Sequence, residues 1–181
     1  MNIISVIGLM GAGKGTFAHY VSKKYGYFKI TYGDIIRDLA RQRGLELTRE
    51  NLQAVRRETL KKYGPEYVGK LVAEKIRNHK KAVIDGVRLI EDINPIIKEY
   101  GKPVVVLIET KPEIRFERMR KRNRPGDPKT LEEFKDQEEK EKKLFDFDRV
   151  FALADYKIKN NGTLEEFYRK IDDFMKKSGL D

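Results

Sequence analysis

Five short apolar runs punctuate the chain, at residues 3–7, 28–31, 82–85, 104–108 and 156–158. Each has roughly the length a strand needs, is rich in apolar or β-branched residues, and is followed by Gly, Asp, Asn or another polar residue close behind. Between them the apolar residues recur at helical spacing. Short apolar strands alternating with helices predict an α/β domain whose parallel sheet is covered on both faces. No internal repeat, low-complexity segment or interdomain linker interrupts residues 1–181, so one domain is expected.

The alternation breaks twice. Residues 35–79 read as helices only, over 34–43, 48–63 and 65–79, with Gly44 and Gly64 ending the first two. Thr48 suits an N-cap and Pro65 a first helical turn. The second break is Asn123-Arg124-Pro125-Gly126-Asp127-Pro128-Lys129, a polar Pro/Gly loop between two helical patterns. Near the end, Thr163 and Glu166 have the spacing of a capping box for a final helix.

The first strand runs into Gly8-Leu9-Met10-Gly11-Ala12-Gly13-Lys14-Gly15-Thr16. Two glycines five apart, a lysine after the second and a hydroxyl two residues on form the spacing of a phosphate-binding loop. Such a loop needs a strand leading in and a helix leading out, because amide groups at the helix start cradle the phosphates. Both flanks are present. Gly8, Met10, Gly11, Ala12, Gly13, Lys14, Gly15 and Thr16 are the expected polyphosphate contacts, with Lys14 on the outer phosphates and Thr16 helping to hold Mg²⁺. Gly15 stands where the commonest form of the motif has Ser or Thr.

Composition narrows the rest. Cysteine is absent and only His19 and His79 represent histidine, which excludes disulfides, thiolate chemistry and Cys- or His-rich metal sites. His19, in the first helix, is expected to be packed or solvent-facing rather than catalytic. Lys- and Glu-rich composition without Cys has a thermophile character. No apolar run approaches the ~18 residues that span a bilayer. The first strand begins at once, leaving no room for a signal peptide, so a cytoplasmic protein without a membrane partner is expected. The net charge of +10 admits a nucleic-acid surface or a polyanionic small substrate. Its spread along the chain, interrupted by acidic runs, favours the second.

The ending Gly13-Lys14-Gly15-Thr16 resembles the loop of adenylate kinases and nucleoside monophosphate kinases, and other segments extend that resemblance over nearly the whole chain. Thr31-Tyr32-Gly33-Asp34-Ile35-Ile36-Arg37 resembles the adenylate kinase segment whose arginine binds the acceptor monophosphate, which implies that role for Arg37, beside Asp34. Val83-Ile84-Asp85-Gly86-Val87-Arg88 resembles the Asp-Gly-Phe-Pro-Arg element without its proline. Asp85, at a strand end beside the loop, is placed to hold a magnesium-bound water, and Arg88 to contact the acceptor phosphate. In the resembled kinases an Arg-x-x-x-Arg pair sits over the donor base and its phosphates, which implies that role for Arg118 and Arg122. The neighbouring Arg115, Arg120 and Lys121 read as a solvated basic face. Arg124 opens a short lid over about 123–130. Past the lid, lysines (Lys129, Lys135, Lys140, Lys142, Lys143) replace the expected arginines, supplying charge without a two-pronged grip.

The segment from Ala154-Asp155 through Ile158, Asn160 and Gly162-Thr163 to Glu165-Glu166 is similar instead to dephospho-coenzyme A kinases. Its turn lines the donor base or is purely structural; both readings fit. Two acceptors therefore stay open. An ionised monophosphate needs an arginine clamp (Arg37, Arg88, Arg118, Arg122), whereas a ribose hydroxyl benefits from a general base, a role open to Asp34. A nucleotide-dependent switch or RNA-associated ATPase is the reading of another class, weakened by the lack of an Asn-Lys-x-Asp motif. The resemblance implies a three-layer P-loop kinase with a five-stranded parallel sheet ordered 2-3-1-4-5, ATP and Mg²⁺ as cofactors, and a nucleotide-like acceptor. The lid would close to exclude water.

Overall fold

The computed structural model describes residues 1–181, the side chain of Arg49 excepted. The five expected strands are present as β1 (Asn2–Ile7), β2 (Phe28–Thr31), β3 (Lys81–Asp85), β4 (Val104–Glu109) and β5 (Tyr156–Lys159). All neighbours pair in parallel, in the order β2-β3-β1-β4-β5. The order matches the expectation. Parallel pairing requires crossovers, so every strand points its carboxyl end at the same edge. The register sets Thr31 and Val6 on either side of Asp85 there.

Alternation along β1 divides the core. Ile4 and Val6 join Val83, Val106 and Ile108 under α1 (Lys14–Tyr25) and α9 (Leu164–Ser178), whose Phe17, Val21, Phe167, Ile171 and Phe174 are buried. Ile3 and Ile7 face the other way, with Ile84, Val105 and Leu107, against α4 (Tyr67–Ile76) and α5 (Ile90–Tyr100). Each fully buried Ile or Phe contributes about 2 kcal/mol, so both layers are held by burial.

Between β2 and β3 the chain forms α2 (Tyr32–Gln42), α3 (Arg49–Tyr63) and α4. Thr31 caps α2 by accepting from the Asp34 amide (2.9 Å), which starts that helix two residues before the periodicity predicts. Thr48 caps α3 as expected. The third helix is shorter than 65–79: Pro65 lies in a turn closed by the Tyr67 amide on the Gly64 carbonyl, and Glu66 is the N-cap. The 123–130 loop joins α6 (Pro112–Arg122) to α7 (Leu131–Leu144), and a short α8 (Phe147–Phe151), absent from the expected helices, leads to β5. Thr163 and Glu166 form the expected capping box. His19 is exposed, and no helix among the described residues is long and apolar enough to cross a membrane.

Candidate functional site

The connections reverse direction between the neighbouring strands β1 and β3, the first crossing to β2 on one side and the second to β4 on the other. Ligands of open parallel sheets sit at such a point. Here the chain leaves Ile7 as the glycine-rich loop and enters α1 at Lys14. Three loop carbonyls are tied down: Leu9 accepts from the Lys14 ammonium (3.0 Å), Met10 from Arg115 (3.3 Å), and Ala12 from both Thr110 (2.9 Å) and Asn160 (2.8 Å). Gly13 is the N-cap of α1 and has no side chain to satisfy the first-turn amides, which therefore remain for an anion. Its φ of +109° and the proximity of Asn160 Nδ2, which any Cβ at this position would strike, admit only glycine. The loop is a built cradle for phosphate oxygens.

Lys14 lies among Asp85, Arg88, Glu141 and Arg122. Loss of water lowers its pKa, outweighing the pull of the Asp85 carboxylate in the opposite direction. Burial likewise raises Asp85, against the Lys14 charge that lowers it. A Cβ on Gly15 would make ordinary contact with the Asp85 carboxylate, at 3.8 Å, which puts the start of α1 beside the end of β3. Among the described residues no cluster of three or more His, Asp or Glu could hold a metal alone. Thr16 and Asp85 offer oxygen ligands near the phosphate cradle, a donor set suited to Mg²⁺, which shares its coordination with phosphates and water.

Two further arginines lie beyond the carboxyl ends of β2 and β3. Arg37 folds back over Gly33, pairs with Asp34 and reaches the Thr31 hydroxyl at 3.5 Å. Burial pushes the Asp34 carboxyl up, but its hydrogen bonds to Arg37 and Thr31 prevail and hold it below the usual range. Arg88 donates to Glu141 at 3.1 Å, lies over the Phe145 ring at 4.9 Å, and has its backbone amide fixed by Asp92 (3.0 Å). Asp92 also pairs with Arg56 of α3, whose guanidinium stacks on the same Phe145 at 5.3 Å.

Asp85, Arg88 and Arg122 all act electrostatically on Lys14, and Asp34 acts on Asp85. Other expected positions part company. The side chains of Arg118 and Arg122 diverge. Arg118 donates to the Asn160 carbonyl (3.1 Å), its side-chain oxygen (3.2 Å) and the Gly162 carbonyl (3.3 Å), lining a cavity of about 220 Å³ with Gly13, Thr16 and Phe167. Arg122 turns to Asp127 in the loop (2.8 Å). Arg124 is exposed, and its amide donates to Asp127 (3.0 Å).

Arg115 corrects the sequence reading outright. Expected on a solvated face, it is 2% exposed and joins Met10, the Thr110 carbonyl (3.1 Å) and Glu138 (2.6 Å). Its position four residues before the buried Met119 placed it on the inner face, a signal outweighed by the run of basic residues around it. Arg120 and Lys121 are exposed as expected. Glu138, Glu141, Arg56, Asp92 and Phe145, which hold Arg88 and Arg115 in place, are not singled out by the sequence, since each meets its partner only across a long stretch of chain.

An AAA domain family model matches residues 7–135, more than half of the chain and all of the donor loop beyond its first strand. UPF0200 proteins match across nearly the full length: that of Hyperthermus butylicus is 39% identical over 91% of this chain and 88% of its own, that of Pyrococcus abyssi 39% over 97% and 96%. The chain is a UPF0200 family member with an AAA domain. Among solved structures, shikimate kinase from Acinetobacter baumannii in complex with shikimate superposes with a TM-score of 0.61 at 19% identity, covering 100% of this chain and 96% of that one. A gluconokinase from Sinorhizobium meliloti gives 0.62 at 15%, covering 98% and 93%. The fold of this family member is therefore that of small P-loop kinases.

Proposed function

We propose that this UPF0200 protein transfers the terminal phosphoryl group of ATP, as its Mg²⁺ complex, to a nucleoside monophosphate. The observation carrying the reading is the amide cradle that Gly13 leaves open at the start of α1, with Lys14 under the charges of Asp85, Arg88 and Arg122. Phosphoryl transfer asks for in-line positioning and neutralisation of charge more than for covalent chemistry. In this reading the amides and Lys14 bind the β- and γ-phosphates, and Thr16, with Asp85 through a bound water, would help hold Mg²⁺ to neutralise the phosphate charge. Arg118 and the turn at Asn160 border the donor base. Arg37 and Arg88 receive the acceptor, exchanging their resident carboxylates for its phosphate, and Arg122 follows the lid onto the migrating group. The shikimate kinase and gluconokinase likenesses support the reaction class.

A second acceptor chemistry has its own support. Arg37 holds the Asp34 carboxylate near the end of β2; as an acceptor-side group it would be needless for an ionised phosphate but useful as a base for an alcohol. Dephospho-coenzyme A, which presents a ribose hydroxyl, is that alternative. A panel of nucleoside monophosphates and dephospho-coenzyme A with ATP–Mg²⁺, scored by ADP release, decides between them. Lys14→Ala is expected to lose at least about a hundredfold in turnover while keeping its far-UV spectrum; wild-type-like turnover would remove Lys14 from the reaction.

A further inference from the structure

One side chain just past β5 reaches both halves of the donor site. Asn160 is 4% exposed, and its backbone amide donates to the Glu109 carbonyl (2.8 Å), which fixes it at the edge of the sheet. Its side-chain Nδ2 donates to the Ala12 carbonyl of the glycine-rich loop at 2.8 Å. Its Oδ1 accepts from Arg118 at 3.2 Å, and its backbone carbonyl accepts from the same guanidinium at 3.1 Å. The first contact holds the phosphate cradle. The second holds the wall of the cavity of about 220 Å³ that Arg118 lines with Gly13, Thr16 and Phe167.

The two partners ask for opposite chemistry, since a carbonyl needs a donor and a guanidinium needs an acceptor. A primary amide carries both on one carbon. An ionised Asp of the same shape lacks the donor, and Leu, of similar shape, has neither. The Ala12 contact also has a direction. The peptide between Ala12 and Gly13 is trans and planar, so its N–H points opposite to its C=O. Holding the Ala12 carbonyl toward Asn160 therefore turns the Gly13 N–H away from Asn160, and Gly13 is the N-cap where the cradle begins. Thr110 supports the same carbonyl at 2.9 Å, but of the two donors only Asn160 also holds Arg118. We propose that Asn160 is a positioning residue of the donor site, aiming the Gly13 N–H at the polyphosphate while it seats Arg118 beside the base. The inference rests on the donor half of the reading above, ATP–Mg²⁺ on the loop, and is independent of the acceptor.

The test separates the two ends of the donor. The full chain is titrated calorimetrically with ATP–Mg²⁺ and with tripolyphosphate–Mg²⁺, which has no base, for wild type, Asn160→Leu and Arg118→Lys, at a temperature where circular dichroism shows each folded. Asn160→Leu should bind both ligands about tenfold more weakly, roughly the worth of one hydrogen bond. Arg118→Lys keeps the charge without the fork, so it should weaken ATP–Mg²⁺ about threefold and leave tripolyphosphate within about twofold of wild type. A tripolyphosphate loss in Arg118→Lys equal to that in Asn160→Leu would put Arg118 on the phosphates and overturn this division of roles. An Asn160→Leu protein that loses ATP–Mg²⁺ but not tripolyphosphate makes Asn160 part of the base wall alone. One with a lowered melting temperature and wild-type affinities makes it a purely structural link. Either result overturns the inference and leaves the donor reading standing. A wild type that binds neither ligand overturns both. If Asn160→Leu does not fold, Asn160→Ser, whose hydroxyl is too short to span Ala12 and Arg118, must weaken both ligands or the inference fails.

Discussion

Replacing Arg115 by Ala should destabilise the fold far more than loss of a surface arginine does. The side chain is 2% exposed, donates to two backbone carbonyls, pairs with Glu138 at 2.6 Å and lies over the Phe134 ring at 5.2 Å. Truncation strands the Glu138 carboxylate, 14% exposed, and leaves the Met10 and Thr110 carbonyls without this donor. Breaking a buried pair on one side costs about 3–5 kcal/mol. The residual exposure of Glu138 lets some of its charge rehydrate, so we set the loss near the middle of that range, about 4 kcal/mol, a large share of the ~5–15 kcal/mol typical of a domain. At roughly 2–4 °C per kcal/mol for this chain length, Tm should fall by about 8–16 °C. Urea unfolding followed by far-UV circular dichroism measures the loss. A double-mutant cycle with Glu138→Gln should return a coupling of at least ~1 kcal/mol. Freed from Arg115, the Met10 carbonyl no longer anchors the loop, so ATP–Mg²⁺ affinity should fall even at temperatures where the variant is folded. A stability loss under about 1 kcal/mol would mean that the residue behaves as a solvated one and that the burial argument is wrong.

The loop, the sheet and the lid each offer a further measurement. Gly13→Ala puts a Cβ at positive φ and against Asn160 Nδ2, straining the backbone by about 1–3 kcal/mol and displacing the hydrogen bond to Ala12; calorimetry should show ATP–Mg²⁺ binding weakened more than tenfold, and intact binding would refute the cradle geometry. Ser5 has a buried hydroxyl with no hydrogen-bond partner among the described residues, so Ser5→Ala should stabilise by about 1 kcal/mol and raise Tm by roughly 2–4 °C, whereas a lower Tm would show that the hydroxyl is satisfied. Burial pushes the Asp127 carboxyl up, but the hydrogen bonds from Arg122 and the Arg124 amide prevail and hold it below the usual range. A depressed carboxyl stabilises fully above its unfolded pKa of about 3.9 and loses that contribution as pH falls through the lower folded value. Protection of the Arg124 amide, corrected for intrinsic exchange, should hold from neutrality to about pH 4 and collapse below it; Asp127→Asn should lack protection throughout, and a pH-independent wild type would remove Asp127 as the loop's anchor.

The strands and the donor loop were legible because their causes are local. An apolar run bounded by breakers is a strand whatever lies elsewhere, and a loop that must expose consecutive amides needs glycines at fixed intervals. The charged groups are another matter. Arg115 and Glu138 lie 23 residues apart, and Arg88 and Glu141 lie 53 apart. Nothing in Arg115-Phe116-Glu117-Arg118-Met119-Arg120-Lys121-Arg122 distinguishes the arginine that will be buried from those that stay wet, except its phase relative to Met119. The shared i, i+4 face of Arg118 and Arg122 was real as helix geometry, yet their long side chains diverge to the β5–α9 turn and to Asp127.

One regularity of the cleft explains why acids were undervalued in the sequence. Arg37, Arg56, Arg88 and Arg122 each face an acid, respectively Asp34, Asp92, Glu141 and Asp127. A chain with a net charge of +10 cannot gather guanidinium groups around Lys14 in the ligand-free state without repulsion, and carboxylates offset it. Binding a polyphosphate then becomes an exchange of anions, not a simple addition. The Arg37–Asp34 pair, with side chains 37% and 50% exposed, is worth at most about 1 kcal/mol and can open readily, whereas in Arg88–Glu141 and Arg122–Asp127 only the guanidinium is comparably exposed, at 39% and 37% against 10% and 8% for the acids. The Arg56–Asp92 pair, with side chains 16% and 2% exposed, is too buried to exchange. Through Asp92, which also accepts from the Arg88 amide, it ties α3 to the backbone that carries Arg88.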